Sequence, residues 1–146
     1  MATALDVAQF FIACAETTED GEISNLKLQK LVYYAQGFHL AIYGQPLFEE
    51  DLEAWTHGPV APSVYHQYKR YGSSPIPVPD DYVVDRKFSE EQLDLLMEIY
   101  DVFGQFSAGK LRNMTHGEPP WLENEKYASR ISKDMLLEYF KTRLKK

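Results

Sequence analysis

Hydrophobic residues recur at intervals of three and four along much of the chain, which is the spacing of amphipathic α-helices. Polar segments rich in glycine and proline separate these stretches and predict turns. Threonine or serine precedes most of the stretches, in the position of a helix N-cap. The predicted helices cover Ala4–Ala15, Leu26–Tyr43 after Ser24, Ser63–Tyr71 after Pro62, the stretch from Ser89 to Phe103, a short stretch from Ser107 to Thr115, and a last helix from Ser132.

The segment Leu26–Tyr43 is apolar on most of its sides. Two apolar stripes run along it, and few polar residues interrupt them. A helix of this kind is covered by its neighbours on all sides, so the helix at about 24–43 is predicted to be the centre of the fold. Gly37 in its middle costs about 1 kcal/mol relative to alanine. Close approach of another helix at Gly37 would explain that cost.

The rest of the chain predicts at most a small β element. Leu52–Trp55 and Tyr82–Val84 are predicted as short strands, while His57–Pro62 and His116–Trp121 are predicted as turns. Gly72–Pro79 holds three prolines and is predicted to be an irregular loop, a candidate linker or lid. The predicted fold class is mainly α, with residues 1–146 forming a single compact helical domain around the central helix.

Composition and charge narrow the classes of partner. The 146 residues are 45% hydrophobic and 25% charged, as in an ordinary globular domain, and carry a net charge of −7. Affinity for nucleic acid depends on neutralising phosphates, so this balance argues against a nucleic-acid partner. It suits a basic protein partner instead. The distribution is uneven, because residues 130–146 hold six basic and two acidic residues.

Location is predicted from what the sequence lacks. Its longest purely apolar run, Phe10–Ala15, is far shorter than the roughly 20 residues that span a bilayer. The N-terminal residues do not show the pattern of a secretory signal. Cys14 is the single cysteine, which excludes an internal disulfide and a multi-cysteine zinc site. We expect a cytoplasmic protein with no membrane partner.

No established catalytic or metal-binding motif occurs in the chain. None of the four histidines is paired at metal-ligand spacing within one helix. His39 falls on the apolar side of the central helix and is predicted to be a hydrogen-bonded core histidine. We therefore predict no catalytic residues, no metal, no cofactor and no enzymatic activity.

Two segments with similar sequences lie far apart in the chain: Thr56–Pro59 and Thr115–Pro119, each with a tryptophan nearby. In one interpretation each is a turn held by its tryptophan, with the histidine capping backbone groups. In a second, the two segments form a partner-binding surface. In a third, the histidines meet Glu118 or Asp51 and hold a metal or transfer protons.

Tyrosines exceed what a core of this size requires, and some of them are predicted to face outward. Tyr and Trp are common anchors of protein interfaces, so an interaction surface is a further hypothesis. The tyrosines concerned are Tyr33, Tyr34, Tyr43, Tyr65, Tyr68 and Tyr71.

The run Ile23–His39, with the sequence ISNLKLQKLVYYAQGFH, resembles the signature helix of the Panacea antitoxin domain, also called SocA-like or GepA-like. The resemblance continues in order and spacing from about Ala4 to Phe140. The similar blocks are Pro46–Phe48, Glu53–Trp55, Gly58–Tyr65, Leu111, Thr115-His116, Pro120-Trp121 and Ile131-Ser132.

This resemblance implies a small, mostly helical antitoxin that neutralises a cognate toxin by direct binding, commonly from a two-gene operon and often in a prophage. It also implies an alternative, an adaptor that delivers the toxin to a ClpXP-type protease through a second docking surface such as the basic C-terminal helix. A second alternative is a metal-dependent or acid/base enzyme that uses His57 and His116. The residues expected to form or support the toxin contact are Tyr33, Tyr34, Trp55, His57, Gly58, Pro59, His116 and Trp121.

Overall fold

The computed structural model describes residues 1–17, 22–79, 82 and 87–144. Within these residues the chain is mainly α, as predicted, with a small three-stranded sheet. Two short 3-10 helices lie at Lys69–Tyr71 and Glu125–Tyr127. The α-helices are α1 (Ala4–Glu16), α2 (Asn25–Tyr43), α3 (Pro62–Tyr68), α4 (Glu90–Phe103), α5 (Ala108–His116), α6 (Pro119–Leu122) and α7 (Lys133–Lys141).

Local sequence signals begin most of these helices. Thr3 and Ser89 each form a capping box, with Asp6 and Gln92 three residues later. The N-caps of α2, α5 and α7 are serines whose hydroxyl groups accept a hydrogen bond from the N–H three residues on. Gly44 ends α2 in the left-handed conformation, at φ 70°. These ends agree with the predictions to within one or two residues.

The sheet has β1 (Leu52–Trp55) at its centre, with β2 (Gly58–Val60) and β3 (Arg130–Ile131) antiparallel on either side. Only β1 was predicted. The prediction that His57–Pro62 is a turn throughout is wrong, because three of its residues pair with β1. The predicted strand Tyr82–Val84 lies for the most part outside the described residues.

Helix α2 forms the centre of the fold, as its pattern predicts. Every residue from 28 to 37 is buried. Helices α1, α3, α4, α5 and α7 and strand β2 all pack against it. His39 is a hydrogen-bonded core histidine, as predicted: its Nδ1 lies 2.6 Å from the Gln45 carbonyl oxygen and its Nε2 lies 3.2 Å from Gln92 Nε2. Burial lowers the pKa of His39.

The segment His116–Trp121 was predicted as a turn, and this is wrong at both of its ends. His116 is the last residue of α5, and Pro119 begins the short helix α6. A proline in the first turn of a helix loses no intrahelical hydrogen bond, which explains how two prolines are tolerated there. Within the described residues, no helix is both long and apolar enough to cross a membrane.

Gly37 lets α7 approach α2 closely, which confirms the interpretation of this glycine. A β-carbon at Gly37 would overlap the ring of Phe140 on α7. Phe140 is fully buried and packs edge-on against Tyr33 and Phe38. The missing side chain therefore makes room for the central aromatic cluster.

We expect Gly37→Ala to destabilise the protein by about 1–3 kcal/mol, because overpacking outweighs the gain in helix propensity. Gly109→Ala is the matched control, since nothing lies within 4 Å of a β-carbon there. It should leave stability unchanged or raise it by up to about 1 kcal/mol. Urea denaturation measures both, and equal stability of the two variants would contradict the close packing at Gly37.

Candidate functional site

The two similar segments of the sequence meet in the structure. Trp121 Nε1 donates a hydrogen bond to the Trp55 carbonyl oxygen at 2.7 Å. Arg112 Nε donates to His57 Nδ1 at 3.4 Å. We call this group the turn cluster; its members are Trp55, His57, Gly58, Pro59, Arg112, Thr115, His116 and Trp121.

Gly58 is required where the two segments touch. Its φ of +119° is one that other residues rarely adopt. A β-carbon there would also lie 2.6 Å from Lys30 Cε and 3.0 Å from Thr115 Oγ1. The backbone of β2 therefore lies directly against α2 and α5.

Neither histidine of the cluster caps a backbone group within the described residues, so that part of the structural interpretation is wrong. His57 is exposed and accepts the hydrogen bond from Arg112. His116 stacks on Trp121, with centroids 3.9 Å apart and planes 4° apart, and its buried Nε2 has no hydrogen-bond partner among the described residues. Burial and the charges of Arg112 and Lys30 lower the pKa of His116.

Lys30 lies beneath the turn cluster and is fully buried. Its Nζ donates a hydrogen bond to the Pro59 carbonyl oxygen at 3.0 Å. Burial, with a smaller effect of the positive charge on Arg112, lowers the pKa of Lys30 to about 7. A lysine on the buried side of a central helix was the signal in the sequence, but its significance was missed.

Tyr33 and Tyr34 lie in the interior. Both hydroxyl groups donate to the Glu118 carboxylate, at 2.7 Å and 2.9 Å, and Arg143 Nη1 donates to the same carboxylate at 3.2 Å. Burial raises the pKa of Glu118, although the hydrogen bonds and the Arg143 charge oppose the rise. Burial and the Glu118 charge raise the pKa of both tyrosines. The two tyrosines can thus support a surface from below but do not form one.

The carboxylates proposed to join the histidines are engaged elsewhere. Glu118 binds the two tyrosines and Arg143, and Asp51 accepts a hydrogen bond from Lys133 Nζ at 3.0 Å. The described part of the chain contains no group of three or more side chains that could hold a metal ion. Within the described residues, the third interpretation, in which the histidines meet Glu118 or Asp51, is therefore wrong.

An open cleft of about 620 Å³ lies beside the turn cluster, between the start of α2, strands β1 and β2, and α3. We call it the aromatic cleft. Trp55 and Tyr65 are half-buried in its wall with ring centroids 5.0 Å apart, and His57 lies exposed at its edge. Its lining residues are Asn25, Leu26, Gln29, Trp55, Thr56, His57, Val60, Tyr65, Lys69, Gly72 and Ala128.

The structure thus separates the candidate residues by depth. Trp55 and His57 line the cleft, His116 is half-buried, and Gly58, Pro59 and Trp121 are buried and do not line it. Among the other tyrosines, Tyr43 is exposed, Tyr65 and Tyr71 are half-buried, and Tyr68 is buried. Sequence reasoning missed Lys30 and Arg112, whose positions depend on contacts between distant segments.

Comparison with known proteins agrees with the resemblance found in the sequence. The family model described as "Antitoxin SocA-like, Panacea domain" matches residues 28–122. The chain is 32% identical over 119 residues to antitoxin SocA of Caulobacter vibrioides. The aligned region covers 70% of this chain and 60% of that relative. The match thus spans less than two thirds of the relative's length. No solved structure gave a significant match.

The buried lysine generates a pH-dependent prediction, tested with Lys30→Met. Above a pKa of about 7 the folded chain releases the Lys30 proton, whereas the unfolded chain keeps it up to the ordinary value of 10.5. The stability of the wild type relative to the variant should therefore rise by about 1 kcal/mol per pH unit from about pH 7 to pH 9. Lys110→Met, which removes an exposed lysine amine, is the matched control. A flat profile for Lys30→Met would show that the buried amine stays charged.

A second prediction concerns the buried carboxylate. Glu118→Gln should cost about 2 kcal/mol of unfolding free energy, because an amide cannot accept all three hydrogen bonds and leaves Arg143 without its counter-charge. Tyr33→Phe removes one hydrogen bond and should cost about 1 kcal/mol. Urea denaturation compares the two variants. An equal loss of unfolding free energy would argue against a role for the Glu118 charge.

Proposed function

Because the chain belongs to the SocA-like Panacea domain family of antitoxins, we propose that it is an antitoxin that neutralises a cognate toxin by binding it directly in the cytoplasm. The proposed contact surface is the aromatic cleft together with the exposed edge of the turn cluster. No chemical step by this chain is required, since occupying the toxin's surface is enough to block it.

The observation that carries the proposal is the position of Trp55, Tyr65 and His57 around an open cleft. Half-buried aromatic rings supply a large contact area at low entropic cost and are frequent hot spots of protein interfaces. Most of the cleft's lining residues fall within residues 28–122, the segment that matches the family.

Rigid support beneath the cleft favours the same function. Gln29 Oε1 accepts a hydrogen bond from the Ala61 N–H at 2.8 Å, and Lys30 binds the Pro59 carbonyl oxygen. These bonds attach β2 to the central helix. A surface that is already ordered loses less entropy on binding than a mobile one, which increases affinity.

The test is co-expression with the product of the neighbouring gene, followed by growth measurement and co-purification. Tyr65→Ala removes one of the two packed rings in the wall of the cleft and should reduce growth rescue and complex formation by about tenfold or more. Trp55→Ala should act in the same direction by removing the other ring. Tyr43→Ala is the matched control, because Tyr43 is 43% exposed and does not line the cleft.

Urea denaturation of each variant separates loss of binding from loss of folding. Direct neutralisation is contradicted if the neighbouring product is not toxic, or if rescue occurs without a stable complex. Rescue that disappears in a host lacking its ClpXP-type protease would favour delivery to that protease instead.

A further inference from the structure

A second groove lies at the other end of α2 from the aromatic cleft. It has a volume of about 440 Å³ and runs between α2 and α4, with the chain beyond α7 at its base. We call it the α2–α4 groove. Its apolar lining comes from Phe38, Ile42, Leu95, Ile99, Val102, Phe103 and Leu144.

Apolar side chains in this groove are open to water. Ile42 is 47% exposed and Val102 is 45% exposed. Covering such side chains removes apolar surface from water, which favours association with a partner. The α4 wall of the groove extends from Leu95 to Val102, about 10 Å along the helix axis. This length suits two turns of a helix lying in the groove.

A line of carboxylates borders the groove. Glu91, Asp94 and Glu98 are spaced by three and four residues along α4, so they lie on one side of that helix, and all three are exposed. Glu98 also lines the groove. We call these three residues the acidic ridge. None of them forms an ion pair with a described residue, and α4 contains no basic residue.

The basic residue at the base of the groove does not neutralise the ridge. The Arg143 guanidinium donates to the Glu118 carboxylate at 3.2 Å and to the Tyr139 hydroxyl at 2.9 Å. Its charge is therefore directed into the interior and balanced by Glu118. The acidic side of the groove remains without a counter-charge among the described residues.

We propose that the α2–α4 groove binds a basic amphipathic helix of a partner protein, with the helix's apolar side against Ile42 and Val102 and its cations against the acidic ridge. The ridge argues against two other occupants. It would repel the same ridge on a second copy of this chain, and it would repel an anionic membrane surface. This inference stands independently of toxin neutralisation, because the two surfaces share no lining residue.

The test is fluorescence anisotropy with a labelled leucine–lysine peptide of about 14 residues, a length at which helix formation depends on binding. Its leucines recur at i, i+3, i+4 and i+7. One control peptide has the same composition with its leucines spread around the helix. Another keeps the leucines and replaces lysine by glutamate. Only the first peptide should bind tightly.

Charge variants test the ridge. The double variant Asp94→Lys with Glu98→Lys should weaken peptide binding about tenfold. The control is Glu123→Lys with Glu125→Lys, which changes the net charge by the same amount at exposed positions elsewhere. This control should weaken peptide binding less than about twofold. Asp94→Asn with Glu98→Gln should also weaken binding. It should nevertheless raise the melting temperature, since it removes a like-charge pair at i and i+4. Loss of binding with a gain in stability excludes unfolding as the cause.

An apolar variant tests the groove itself. Ile42→Ser should weaken peptide binding about fivefold. Leu122→Ser is the matched control, because Leu122 is 49% exposed and does not line the groove.

The proposal would be overturned by equal binding of the scattered-leucine peptide, by equal weakening by the two charge-reversal pairs, or by no binding of any peptide. Dimerisation that Ile42→Ser abolishes would identify a second copy as the occupant, and vesicle binding that Ile42→Ser abolishes would identify a membrane. Either result would also overturn the proposal that the groove binds a basic helix of a partner protein. Absence of growth rescue by the wild-type chain, together with the expected peptide binding, would contradict only the proposed neutralisation.

Discussion

The buried polar side chains of α2 hold the rest of the structure in place. A backbone N–H or C=O that leaves water must find a partner, or folding loses roughly 1–3 kcal/mol. Gln36 supplies partners for the loop after α2: its Oε1 accepts from the Leu47 N–H at 2.8 Å, and its Nε2 donates to the Phe48 carbonyl oxygen at 2.8 Å. Gln29 and Lys30 do the same for the β2 segment. The central helix thus positions its loops as well as the core.

This arrangement sets the shape of the aromatic cleft. Strand β2 lies against α2 because Gly58 has no side chain and because Lys30 binds the next carbonyl group. The cost is a lysine buried without a counter-ion among the described residues, and burial lowers the pKa of its amine. The second segment of the cluster, around His116 and Trp121, is anchored through Glu118. Tyr33 and Tyr34 of α2 donate hydrogen bonds to the Glu118 carboxylate. Both segments of the turn cluster are therefore held in place by the same helix, α2.

The two surfaces lie at opposite ends of that element. Gln29 lines the aromatic cleft and Ile42 lines the α2–α4 groove. Gln29 and Ile42 are thirteen positions apart in α2, which is about 20 Å along the helix axis. They also differ in chemistry, since one offers aromatic rings with a lysine and the other offers aliphatic side chains with carboxylates. Two different partners could therefore be held at the same time without competing for contacts.

The sequence by itself determined most of the helices, their caps and the central position of α2, because periodicity and capping depend on neighbours within one or two helical turns. Tertiary structure decided the pairing of β3 with β1, the burial of Tyr33 and Tyr34 around Glu118, and the lowered pKa of Lys30. The residues that meet in these features are about 30 to 85 positions apart. Periodicity reports which side of a helix is buried, but only the folded chain determines which distant group it meets there.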